Sequence, residues 1–486
     1  MTTNSIIQPR PFATAIDDLG WMNGHNEGAN GYGPYRLGVR RKMSLGDYEA
    51  IVNLARRVGV RLQGLFILSE MDRENLLKNY PTTTYLGTNW DNSENVSELQ
   101  IEMMQYVQQE AAFLEFGLHG IGHELWPEPD QQQRAEWYNT EQDHPWPTEE
   151  VKMHLDCFAQ IMQQYGLSSD NGHSFPESFV PCAYSYYWQP DSEDSLGAIL
   201  SEYGIKYVNT DFSQIPECRP PIKPNDGGFD HDVHVMNRYN YGNLWYQLGT
   251  LPGMPLHSQP TDFIETHWPN LLAQDDFLQD SITDQWVAYF QLVQRTPDRF
   301  CAKNTAQIHS QWAYNRYTRL NNWNDGVVEI DNTAMPMNYY HHQLINNMIL
   351  KLPLDPYQHV SYAAINGKPI SAYFEDQGYA LLYLPILKQE KYLLEYSLGD
   401  KRMSNTIWYD GTYSFVDMSY TENEVVISMT IYGTQSIKLI TDYDPQQVIS
   451  SNEYVEVKDF ERRGDHLIIK VAAQDIQGNH TRLTLR

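Results

Sequence analysis

The chain has 486 residues, 41% of them apolar and 13% aromatic, with a formal net charge of −28. This length exceeds one ordinary core, so two or three domains are expected, and the apolar content is far from that of a disordered chain. The negative balance argues against a nucleic-acid partner and against an anionic membrane surface, since both need basic residues.

Four cysteines, Cys157, Cys182, Cys218 and Cys301, lie far apart without a C-x-x-C spacing, which excludes a thiolate zinc knuckle and a disulfide-dense scaffold. No run of 18 or more apolar residues occurs, and no basic-then-apolar leader precedes residue 12, so a cytoplasmic protein is expected. The 34 tyrosines and 12 tryptophans suit sugar stacking, although core packing accounts for most of them.

Along the chain, residues 12–16 form an apolar strand ending in Asp17-Asp18, and a Gly/Asn-rich loop follows over 20–38. Residues 47–58 carry a helical apolar face, 60–68 run into a strand, and 97–113 are helical again. A strand over 114–118 delivers His119. A helix over 149–165 ends at Gly166, short strands are expected at 179–181 and 205–209, and a helix between them stops at Gly204. A strand over 263–266 precedes His267, and helices follow over 275–294 and 305–320. From residue 326 the pattern turns to alternating strands. The turn that holds Arg463-Gly464-Asp465 reads as hairpin chemistry, and His341-His342 as structural. Strands alternating with helices predict parallel β/α units over residues 1–325, followed by an all-β, sandwich-like domain over 326–486. In parallel β/α folds, chemistry gathers at the C-terminal ends of strands. Asp17, Asp18, His119, Asp211 and His267 all follow an expected strand.

His119 and His123, four apart after an apolar run, can offer two imidazole nitrogens to one metal ion. An aspartate pair can add a third ligand and a free carboxylate, the set a metal-dependent hydrolase needs. Asp17 and Asp18 alternate sides in an extended segment, so one is expected to ligate and the other to act as base.

The segment Glu115-Phe116-Gly117-Leu118-His119-Gly120-Ile121-Gly122-His123 resembles the E-[IL]-[GA]-x-H-[ST]-x-x-H motif of the polysaccharide deacetylase (NodB-homology) family, and Ala15-Ile16-Asp17-Asp18 resembles its T-F-D-D strand. The resemblance spans residues 10–270 and is specific at these two motifs. It implies a distorted (β/α) barrel of the glycoside hydrolase/deacetylase type that removes N- or O-acyl groups from sugars with one divalent metal, usually zinc, and metal-activated water as nucleophile. Carried over, Asp17 would be the base, Asp18, His119 and His123 the metal ligands, and His267 the acid, with His257 as second candidate. Asp211 would lie near that histidine, with a loop anchor as its alternative role.

Trp21, Tyr184, Asp211 and Trp268 are the substrate-binding candidates, and Trp126 also flanks the site; a backbone N–H near Tyr184 would hold the oxyanion. The family's third motif begins with an arginine that orients the base. The matching segment here, Ser178-Phe179-Val180-Pro181-Cys182-Ala183-Tyr184, has none, leaving Arg219 or Arg238 to act from another loop.

The expected partner is an acylated sugar or oligosaccharide, and homo-oligomerisation is left open. Two alternatives stand beside this reading. A glycoside hydrolase would pair Asp17 with Asp211 or Glu177 but leaves the histidines unexplained. A non-catalytic carbohydrate-binding protein would account for the missing arginine.

Overall fold

Buried strands alternate with amphipathic helices in the first part of the chain, as the patterning predicts. The computed structural model describes residues 5–24, 35–129, 131–189, 192–213, 227–324, 326–421 and 423–486. The loop glycines Gly28, Gly31 and Gly33, as well as Cys218 and Arg219, lie outside the described residues. The chain divides into two units, one made of Thr14–Arg57 and Leu62–Tyr289, the other of Met1–Ala13, Val58–Arg61 and Phe290–Arg486.

In the first unit the elements run β1 (Arg10–Leu19), α1 (Leu45–Val58), β2 (Leu62–Ile67), α2 (Glu98–Gln109), β3 (Leu114–Gly120), α3 (Thr148–Gln164), β4 (Ser178–Phe179), α4 (Leu196–Glu202), β5 (Tyr207–Thr210), β6 (Gly227–Asp230), β7 (Val233–Asn237) and β8 (Phe263–His267). Strands β2, β3 and β8 are buried at every position, the signature of a parallel sheet covered on both faces. Helix α1 buries Tyr48, Ile51, Val52, Leu54 and Ala55, the face its spacing predicts. Helix α2 starts at a capping box of Ser97 and Gln100.

The strand order is β8-β1-β2-β3-β4-β5-β7-β6. Neighbours from β1 to β7 pair in parallel, and the edge strand β6 pairs antiparallel with β7. Beyond β7, Tyr239 forms a parallel bridge with Ile264 of β8. In it the Tyr239 N–H donates to Phe263 O at 3.2 Å and the Glu265 N–H to Tyr239 O at 2.9 Å.

Two irregularities decide where side chains point. The β1–β2 register shifts between Ile16 and Leu19, and the β2–β3 register shifts opposite the step from Leu118 to Gly120. Bulges of this kind twist a strand and re-aim its side chains. They fall on Asp17-Asp18 and on His119.

The second unit is β-rich, as expected, and among the described residues its strands from Arg319 onward form three sheets. One contains Arg319–Asn324, Val327–Asp331 and Lys391–Gly399, the largest runs from Ile349–Pro353 to Val455–Arg463, and a third holds Ser414–Tyr420, Val425–Ile431, Asn479–Leu485 and Val448–Ser450. The hairpin over Val455–Arg463 and His466–Ala473 turns at Gly464 with φ +64°, in keeping with the turn expected there. Among the described residues no helix is long and apolar enough to cross a membrane.

Candidate metal centre and active site

Asp17, Tyr35, His119, His123, Glu124, Gln132, Arg134, Glu141, Pro181, Ala183, Tyr184, Arg238, Trp245 and His267 line one cavity of about 570 Å3 in the first unit. Residues far apart in sequence meet there because adjacent parallel strands end at the same edge.

Asp18 sits at φ +71°, a left-handed conformation that costs an L-residue energy and is tolerated where surroundings over-determine it. Its Oδ1 lies 3.4 Å from His119 Nε2, and its Oδ2 accepts the Tyr35 hydroxyl at 2.6 Å. Burial raises the Asp18 pKa, but the His119 bond and the charges of His267, His119 and His123 prevail and hold the carboxyl well below its usual range. His119 Nδ1 is 2.6 Å from Val180 O, which fixes its proton on that nitrogen and leaves Nε2 as the donor atom. Burial opposes charge on His119, yet the Asp18 hydrogen bond and both aspartates raise its pKa. His123 behaves oppositely: burial pulls its pKa down to about 3, keeping a neutral imidazole. It has φ +72° and stacks on Tyr35 with centroids 4.0 Å apart.

His123 Nδ1 is buried without a hydrogen-bond partner and its imidazole is held neutral, as a metal ligand must be. Asp18, 3.4 Å from His119 Nε2 and off the cavity wall, is not in the group of donor atoms that could hold an ion. Cys182 was not anticipated as a donor. Its Sγ forms a group with His119 and His123 whose potential ligand atoms all lie within 4.8 Å of one another, so His119, His123 and Cys182 could hold an ion. Its thiol donates to His119 O at 3.2 Å, and burial beside Glu136 pushes its pKa up.

Asp17 is clasped by Arg238: Nη1 donates to Oδ1 at 2.8 Å and Nη2 to Oδ2. Of the two arginines considered in place of the one absent from the 178–184 segment, Arg238, just beyond β7 and 1% exposed, is the one that meets Asp17. His267 Nε2 lies 4.0 Å from Asp17 Oδ2, and its Nδ1 lies 3.8 Å from Glu265 Oε1. Glu265 also accepts from the Tyr184 hydroxyl at 2.8 Å and from Asn240 Nδ2 at 3.2 Å. His257 is exposed on a short helical turn and does not line the cavity.

The remaining candidates divide. Tyr184 lines the cavity, and its backbone N–H donates to Pro181 O at 3.2 Å, so an oxyanion donor from this turn would be a neighbouring N–H. Trp21 is buried under the Arg36 guanidinium, 4.3 Å away, and Trp268 is buried with its indole N–H on Asp47 O; neither borders the cavity. Trp126 is buried beside Tyr85. Asp211 accepts from the N–H and hydroxyl of Ser213, the geometry of a loop anchor, and is likewise off the cavity wall. His341 and His342 lie in the other unit.

Sequence reasoning missed Tyr35, Glu136, Trp245 and Glu265. Glu265 lay inside the F-I-E-T-H run and alternation would have pointed it to the opposite side from Thr266; the others carry no local signal. Compared with known proteins, the chain matches no family model and none of the curated proteins.

Proposed function

We propose that this chain is a metal-dependent hydrolase that removes an acyl group, acetyl in the simplest case, from a carbohydrate. One divalent ion, zinc on the character of the donors, is assigned to Asp18, His119 and His123. The observation that carries the reading is the convergence of Asp17, His119, His123 and His267 on a single cavity. A distorted (β/α) barrel is the architecture we assign, supported by the bridge from Tyr239 to Ile264 of β8.

A bound divalent ion supplies Lewis acidity toward the acyl oxygen and toward water. Asp17 takes the proton of the attacking water, and Arg238 holds the carboxylate in one orientation for that transfer. His267 gives a proton to the departing amine or hydroxyl, with Glu265 Oε1 3.8 Å from its Nδ1 as the nearby carboxylate charge. Tyr35, Tyr184 and Trp245 offer ring faces to a sugar, while Gln132, Arg134 and Glu141 offer polar groups to its hydroxyls.

Both carboxylate pairs of the glycosidase alternative lose support: Asp211 is tied to Ser213, and Glu177 pairs with Lys206 at the surface. The Arg238–Asp17 contact favours a catalytic site over a decayed, binding-only protein. The test is elemental analysis of the purified protein beside its His119→Ala variant, followed by assay on acetylated sugars. About one transition metal per chain, lost in the variant, with acetate release, is expected. Reducing-sugar release without acetate would overturn the reaction class.

A further inference from the structure

Beside the cavity lies a polar cluster that the proposed chemistry does not use, buried Glu136 and His154 with half-buried Thr82 and Glu150. Glu136 is 1% exposed and so is His154. The Glu136 carboxylate accepts the Ile121 N–H at 2.9 and 3.0 Å and the His123 N–H at 3.2 Å. It thereby occupies two donors of the turn that carries the second histidine. Its neighbour Trp137 donates an indole N–H to His119 O at 2.9 Å, so consecutive residues grip both ends of the H-x-x-x-H segment.

Three observations give this grip a purpose. His123 is held at φ +72°, a conformation that needs outside support in a residue with a side chain. Position 120 is glycine, and a Cβ there would stand 2.1 Å from Glu136 Oε2 and 2.8 Å from Cys182 Sγ, so the carboxylate can enter only because the side chain is missing. His154 Nδ1 bonds Glu136 Oε1 at 2.9 Å, and its other nitrogen lies 3.1 Å from the Thr82 hydroxyl and 3.7 Å from Glu150. A carboxylate buried this deeply needs such partners to offset its desolvation.

We propose that Glu136, balanced by His154, is a positioning residue for His123 that sets the metal affinity of the site. It touches neither substrate nor ion and acts through the backbone of the turn, with a further contact of 3.9 Å from the Cys182 thiol. The inference rests on the metal-site assignment of the proposed function and is independent of the substrate.

The test titrates Zn2+ against a competing chelator into the full chain and its Glu136→Gln and His154→Gln variants, and records unfolding midpoints with and without metal. Outer-shell partners of this kind influence metal affinity by ~10–100-fold. Glu136→Gln is expected to weaken zinc binding within that range and to lose much of the zinc-induced rise in midpoint. His154→Gln should follow in the same direction with a smaller effect. Should Glu136→Gln misfold, His154→Gln decides alone. A folded variant that binds zinc as tightly as the parent would overturn the proposal, even if its metal-free midpoint fell, because that result describes a merely structural pair. Parent protein that binds no zinc would overturn the positioning role together with the ligand assignment. Zinc binding without release of acetate from acetylated sugars would remove the substrate reading and leave this inference standing.

Discussion

At the scale of single residues, Asp17 and Asp18 differ in their partners. Asp17 faces a bidentate guanidinium, whereas Asp18 faces an imidazole nitrogen and a tyrosine hydroxyl. Asp17→Asn is expected to retain metal and lower turnover by ~10²–10⁴-fold, the usual scale for a general base; undiminished turnover would place the base elsewhere. His119→Ala and His123→Ala should instead lose metal and hydrolysis together, read by elemental analysis, and full occupancy in either variant would refute its role as ligand. Arg238→Met leaves Asp17 buried without its cation, so a loss of ~3–5 kcal/mol in denaturant unfolding is expected on top of lost activity. These aspartates and histidines were legible in the sequence because each sits in a short motif at a strand end. Arg238 was only one of two candidates, since it meets Asp17 from 221 positions away and no spacing encodes that. Trp21 and Trp268 show the converse. Both stand close to site residues in sequence, and both turn into the core, Trp268 as the first residue of a short helical turn after β8 and Trp21 just past Gly20, whose φ is +106°.

At the scale of elements, helices and buried strands followed their apolar periods, while the bulges did not. Strict alternation would send Asp17 and Asp18 to opposite faces; the register shift in β1 falls on this pair, and Asp17 lines the cavity while Asp18 meets His119. No residue type announces such a shift. The contact between α3 and the turn that carries His123 was equally hidden, because its link is a side-chain pair, Glu136 with His154. That pair predicts a pH dependence of stability. Burial disfavours charge on His154, but its bonds to Glu136 and Glu150 and their charges outweigh it and raise the pKa to about 9 from 6.5. The folded state therefore binds the proton more tightly than the unfolded state. The stabilisation is fully present below pH 6.5 and is lost as pH rises through about 9. Unfolding midpoints of metal-free protein should fall over that interval in the parent, and the fall should flatten in His154→Gln. An equal slope in both would exclude this pair as its source.

At the scale of the whole molecule, the shift from β/α to all-β patterning near residue 326 was visible in the sequence, yet compact units need not follow such a shift. Residues 290–325 cluster with the β-rich part, as do Met1–Ala13 and Val58–Arg61. The reasons are specific contacts inside that unit. The helix Thr305–Tyr317 buries polar as well as apolar residues, among them Gln307, His309, Ser310 and Gln311, so no single amphipathic stripe marked its surroundings. Gln311 Nε2 donates to Ile349 O at 3.0 Å, and its Oε1 accepts the Ile349 N–H at 2.8 Å. Asn304 donates to Thr412 O at 3.0 Å, and Arg61 donates to Ile476 O at 3.0 Å while lying over Tyr432. Lys351 Nζ donates to Gln294 O, Thr296 O and Arg299 O, and Ile7 bridges Lys351 through the backbone. A fragment ending at residue 324 would keep one side of each of these pairs and discard the other. Every stranded amide or guanidinium that stays buried costs ~1–3 kcal/mol, and the buried faces of Ile308, Ala313 and Tyr314 would become accessible. Such a fragment is therefore expected to aggregate or to melt well below the full chain, measured by soluble yield and by calorimetry. A soluble 1–324 fragment with the parent's metal content and a cooperative transition near the parent's would show that these contacts contribute little, and that the first 324 residues fold on their own.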